Sequence, residues 1–345
     1  MGGMNTVSRR IEAIESDGYK RGGVAYPVRT TFAQGELTDT KHGRMIHPDE
    51  RELPIQIDII QTWPDGSVKS ADIVFPLHLP AHGSGEYTLQ IGPKILPVVK
   101  QPSPVEITQS LEGLSINQGP VTYAVNAGGY NGVDGATFNR DVWKGKHPTG
   151  VETRGPKAFV RPGSRTPFLV AGDGTELTLA GPVEIEIETN GPRTGRVRVT
   201  GQYSLDLSFS SFFTFYSGVS WYRHTFSLTG DAAHITSVIF EDTFDLADGP
   251  LQSAFGARIN SFGQPTSWAV LTDGVTTIDI AAHNAWSESG YIRYESEVDG
   301  RFRVIAPYTV DPIVTFYHFL PTPPADHYHT PAAAMVADPH ITVLD

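Results

Sequence analysis

The sequence predicts an all-β fold, with a small N-terminal β-barrel followed by a larger antiparallel β-sandwich. Three observations carry that reading. Apolar and polar residues alternate with period two over long spans. Turn signals break those spans at short intervals, and no stretch combines a helical period with caps and sufficient length. The 35 Gly and 26 Pro fall between the apolar runs, so they mark turns rather than disorder.

Taken in order, residues 1–23 read as a polar N-terminal arm. Ile11 and Ile14 are spaced for one helical face, which predicts a short helix or a docking arm. Residues 24–102 hold the barrel runs VAYPVRTTFAQGEL, PIQIDIIQTW, ADIVFPLHL and EYTLQIG. Trp63-Pro64-Asp65-Gly66-Ser67 joins two of them as a hairpin, because Pro presets φ and Gly supplies a positive φ. Pro76 places the third run at an edge or a bulge, since it has no N–H for a ladder. Pro93, Pro97, Pro102 and Pro104 punctuate an extended connection into the sandwich, residues 103–320.

Within the sandwich, Val183, Ile185 and Ile187 alternate with Glu184, Glu186 and Glu188, the pattern of a half-buried antiparallel strand. GRVRVTG turns Arg196 and Arg198 outward, so opposite charges are expected to pair across neighbouring strands. Asp299-Gly300 is the strongest hairpin signal in the chain. Residues 321–345 are a Pro/Ala/His-rich C-terminal strap with ITVL as a last strand.

Composition removes several function classes. The absence of Cys excludes disulfide scaffolds, thiolate metal sites and a Cys nucleophile. A formal charge of −12 opposes phosphate backbones, so nucleic acid is not the expected partner. No apolar run approaches the roughly 20 residues of a membrane-spanning helix. The N-terminus has no apolar signal core, which points to the cytoplasm or to an assembled particle such as a virion, unless the terminus is processed.

The stretch PIQIDIIQTWPDGSVKSADIVFPLHLPA with GEYTLQIG resembles the N-terminal barrel of the exo-rhamnogalacturonan lyase-like family. TNGPRTGRVRVTG and FFTFYSGVSWYRHTFSLTGD are similar to the sandwich of those polysaccharide lyases. WPDGSVK is the most specific piece. The resemblance implies β modules without the family's C-terminal helical toroid, hence a carbohydrate-associated module that is not catalytic alone. It implies an acidic glycan as partner.

Two clusters suit such chemistry. Arg140, Trp143, Lys144, Lys146 and His147 share a long Gly-rich loop with Tyr130, where an aromatic ring can stack on a sugar and a cation can meet a carboxylate. Tyr222 and His224 lie two apart on a strand and so share a face, which makes them the candidates for a catalytic base in β-elimination. Asp326, His327, His329 and His340 invite a metal, as do Glu241, Asp242, Asp245 and Asp248. Neither set has a recognised ligand spacing, and no metal or cofactor is expected. Three functions stay open: a carbohydrate module, a structural subunit of a phage particle or cell-surface assembly that self-associates, and a β-eliminating polysaccharide lyase. Whether the chain is an enzyme is left undecided.

Overall fold

A computed structural model describes residues 6–100, 103–139, 165–244, 252–259, 265–272, 277–283, 286–287, 290–297, 300–308, 312–320 and 339–344. The protein is all-β: every regular element among these residues is a strand. The chain forms two compact units. One comprises residues 1–104, 191–194 and 338–345; the other comprises residues 105–190 and 195–337.

The first unit contains β1 (Val7–Ile14), β2 (Arg21–Thr31), β3 (Gly43–Ile46), β4 (Glu52–Leu53), β5 (Gln56–Thr62), β6 (Val68–Leu79) and β7 (Ser84–Ile91). A last strand from the far end of the chain, His340–Leu344, completes a five-stranded sheet in which β1 lies between it and β7, followed by β3 and β4. The other sheet has the order β2-β6-β5. Ile11, Met45, Tyr87 and Leu89 from the first sheet meet Val28, Ile73, Phe75 and Leu77 from the second in one core.

Where the sequence suggested a helix or a docking arm, the chain forms β1. A spacing of three that shares a helical face puts two residues on opposite faces of a strand. Accordingly Ile11 is fully buried and Ile14 is exposed. Pro76 lies within β6, the middle strand of its sheet. The ladder tolerates it because β5 pairs only as far as Gln56 opposite Val74, and β2 carries an irregularity between Gly22 and Val24 just beside Ala25, the partner of Pro76.

Where β1 leads into β2, buried Glu15 in the loop and Arg21 at the start of β2 form an ion pair. Arg21 Nη1 donates to Tyr26 Oη at 2.7 Å, and the backbone N–H of Asp17 donates to Glu15 Oε1 at 2.8 Å. These bonds satisfy the charges that burial strips of water.

The second unit runs β8 (Glu106–Gln109), β9 (Gly113–Asn117), β10 (Val121–Asn126), β11 (Gly135–Phe138), β12 (Arg165–Ala171), β13 (Glu176–Leu177) and β14 (Glu184–Asn190). It continues with β15 (Thr194–Ser204), β16 (Leu207–Tyr216), β17 (Trp221–Gly230), β18 (Ile235–Thr243), β19 (Gln252–Ile259), β20 (Pro265–Thr272) and β21 (Thr277–His283). After these come β22 (Trp286–Ser287), β23 (Gly290–Tyr291), β24 (Arg293–Ser296), β25 (Arg301–Pro307) and β26 (Ile313–Leu320); the strand His340–Leu344 is β27. An eight-stranded sheet, a five-stranded sheet and a four-stranded sheet contribute to one aromatic core. Phe213, Phe215 and Phe226 enter it from the first, Phe240 and Phe302 from the second, and Tyr123 from the third.

The expected charge ladder is present on β14 and β15, where Arg198 pairs with Glu186 and Arg196 Nε lies 2.9 Å from Glu188 Oε2. β14 is the edge of the eight-stranded sheet, and its row of glutamates discourages pairing with another strand. The β24–β25 hairpin forms at the DG signal, with Gly300 at φ 86°.

Candidate functional site

A groove of about 560 Å³ opens on the first unit, lined by residues of β1, β2, β5, β6 and the segments that follow β2 and β5. Local sequence builds its wall. Gly66 N–H donates to the Trp63 carbonyl at 2.9 Å, Trp63 N–H donates to the Ser67 carbonyl at 2.8 Å, and Gly66 has φ 83°. These bonds make a tight turn with a glycine in the left-handed position, as the WPDG signal predicts. Asp65 Oδ1 accepts from both Ser67 N–H at 3.0 Å and Ser67 Oγ at 2.6 Å, and these hydrogen bonds hold its carboxyl below the usual range.

That turn fixes Trp63 half-buried at the lip. Its Nε1 donates to the Phe32 carbonyl at 3.1 Å, so the indole plane is held rather than free to rotate. Phe32 is 3% exposed and forms the floor; the Arg9 guanidinium sits 5.3 Å from its ring centroid. Arg9 Nη2 donates to Glu36 Oε1 at 2.6 Å, and Glu36 Oε2 accepts from Ala33 N–H at 2.6 Å. Arg29 makes a two-pronged pair with Asp72, which raises the Arg29 pKa chiefly through that hydrogen bond. Lys69 Nζ lies 5.2 Å from the Trp63 centroid, a cation over an aromatic face. Exposed Gln61 completes the rim with an amide. The groove thus offers a rigid indole, hydrogen-bonding groups and cations, of which Arg29, Gln61 and Lys69 are exposed to solvent.

The residues singled out from the sequence lie elsewhere. Arg140, Trp143, Lys144, Lys146 and His147 are outside the described residues, as are Asp326, His327, His329, Asp245 and Asp248. Tyr130, expected as an exposed stacking ring, is 6% exposed and stacks on Phe209 with centroids 6.0 Å apart. Burial pushes its hydroxyl well above the ordinary tyrosine value. Tyr222 and His224 do share a face, and that face is the core. Tyr222 stacks on Tyr317 at 5.1 Å, while His224 stacks on Phe213 at 4.4 Å with its Nε2 3.1 Å from Ser211 Oγ. Burial pulls His224 down to about 3, so it is neutral, and its ring faces the core rather than solvent. Glu241 is engaged by Arg303 at 2.6 Å, and His340 Nε2 lies 3.0 Å from Thr342 Oγ1.

Sequence reasoning missed Arg9, Arg29, Phe32, Glu36, Gln61, Trp63 and Lys69 as a group. One signal was available. WPDGSVK places an aromatic at one end of a predicted hairpin turn and a lysine on the returning strand, which brings the two together whatever the rest of the fold does.

No protein-family profile and no curated protein sequence matches the chain. Solved structures with a similar fold include a protein in glycosyl hydrolase family 38 from Enterococcus faecalis, at TM-score 0.54 and 9% identity. That alignment covers 98% of this chain and 47% of the other. An α-mannosidase from Enterococcus faecalis aligns at TM-score 0.52 and 9% identity, covering 98% of this chain and 46% of the other. The chain therefore spans about half the length of these structures, and what it shares with them is the fold. The resemblance to exo-rhamnogalacturonan lyase-like proteins is overturned by these neighbours. The quoted stretches are period-two strands joined by common turns, a pattern that antiparallel sheets of unrelated families share.

Proposed function

We propose that this chain is a carbohydrate-associated β module that holds a glycan in the groove beside Trp63. The observation that carries the reading is the indole itself. It is pinned through Nε1 to the Phe32 carbonyl, half-exposed, and bordered by Gln61, Lys69 and Arg29 in an open groove of about 560 Å³. A sugar ring presents an apolar face and a rim of hydroxyls. A fixed aromatic plane flanked by hydrogen-bonding side chains complements both at small entropic cost. The fold supports the reading, because its structural neighbours include a glycosyl hydrolase family 38 protein and an α-mannosidase.

The test is isothermal titration calorimetry of the chain against a panel of neutral and uronic-acid oligosaccharides. Trp63→Ala is expected to weaken binding at least about ten-fold, in line with loss of a central aromatic anchor. Because Trp63 lies at a solvent-open lip, the far-ultraviolet circular dichroism is expected to stay that of the parent. Unchanged affinity in a folded Trp63→Ala variant would remove the groove as the site.

A further inference from the structure

The charges lining the groove are not equivalent, and their pairing points to a ligand class. Arg9 is neutralised by Glu36 and Arg29 by Asp72. Lys69 makes no ion pair among the described residues; its ammonium lies over the Trp63 ring, on one face of the surface that a sugar would use. We infer that the groove selects anionic sugars, uronates in particular, and that Lys69 is the residue that sets this preference.

The inference rests on the groove reading proposed above, and the physical argument is one of exchange. A ring that stacks on that face of Trp63 displaces Lys69 from it. A neutral hexose takes away the cation–π contact and leaves the ammonium with solvent alone. A hexuronate stacks by its ring face while its carboxylate projects sideways from the ring edge, at the height of the displaced ammonium. The lost contact is then replaced by a charge-assisted hydrogen bond, the stronger kind. The protein's formal charge of −12 repels an anion at long range, so the preference rests on the short-range contact with Lys69.

The experiment titrates the full chain with oligomers of galacturonate, glucuronate, mannuronate and guluronate, each beside its carboxyl-reduced counterpart, which keeps the ring and removes the charge. At least one uronate should bind about two- to five-fold more tightly than its reduced form, the size expected of one partly exposed ion pair. Lys69→Met, of similar length but uncharged, should erase that difference between each uronate and its reduced form. Reduced oligomers binding as tightly as the uronates, or a preference that survives in Lys69→Met, would overturn the inference and leave the groove reading standing. If no oligomer of either kind binds, or if Trp63→Ala binds like the parent, the groove reading fails and the inference falls with it.

Discussion

His224 and Asp242, both buried in the second unit, respond to pH in opposite directions. Burial pulls His224 down to about 3 from an ordinary 6.5, so between those values the unfolded chain binds the extra proton and stability rises with pH. Burial pushes Asp242 up to about 7 from 3.8, with Asp134 and Glu241 adding to the effect and a hydrogen bond from Tyr317 opposing it. Between 3.8 and about 7 the folded state binds the extra proton, so this group's contribution falls as pH rises. Each slope is about 1.4 kcal/mol per pH unit, and from about pH 4 to about 6.5 the two offset. His224→Gln should therefore leave a second unit that loses stability from about pH 4 to about 7, whereas Asp242→Asn should leave one that gains it up to about pH 6.5. Calorimetric melting at three pH values reads the slopes, which matter here rather than the absolute stabilities. Parallel slopes in the two variants would disprove the assignment.

At the scale of elements, two hairpin glycines separate conformational strain from steric exclusion. Gly66 in the β5–β6 turn and Gly300 in the β24–β25 turn have nearly the same φ, 83° and 86°. A methyl group at Gly66 would meet nothing within 4 Å, while one at Gly300 would sit 2.2 Å from the Phe244 carbonyl oxygen. Gly66→Ala should cost about 1 kcal/mol, the left-handed penalty alone. Gly300→Ala should cost about 3 kcal/mol or more, since the backbone of one element must also move. Urea denaturation of each unit checks the pair, and equal costs would contradict the steric account. Both hairpins were legible in the sequence, because turn chemistry is local: Pro, Asp and Gly act through their own φ angles and side-chain bonds. The β1 strand was not, because the spacing of Ile11 and Ile14 suits either a helix or a strand until β7 is there to pair with it.

For the whole molecule, the first and last described strands pair in the first unit. β27 pairs with β1 from Arg10 opposite Leu344 to Ile14 opposite His340, and Ile341 and Val343 pack against the core. The first unit is therefore incomplete until the last strand is present, a high-contact-order arrangement that slows folding. Deleting residues 338–345 should lower the melting temperature of the first unit by several degrees. It should also raise its tendency to associate, because the β1 edge is then open. Calorimetry with light scattering checks both, and an unchanged melt would show that β27 is dispensable. The reading of residues 1–23 as an arm for assembly loses its basis in the same pairing, since β1 is engaged within its own sheet.

By itself the sequence determined what short-range physics determines: the all-β class, the alternation of Ile185 and Ile187 with their glutamates, and the hairpins at Gly66 and Gly300. Only the tertiary structure decided which alternating faces are interior. Tyr130, Tyr222 and His224 have the composition of a sugar site or a base, yet the sheets close over them, and period two states that residues share a face without stating what covers it. The groove was beyond local reading for a related reason. Arg9, Phe32, Trp63 and Lys69 come from β1, the segments after β2 and β5, and β6, and it is strand pairing in the folded unit, with its burial of apolar area, that brings their side chains to one place.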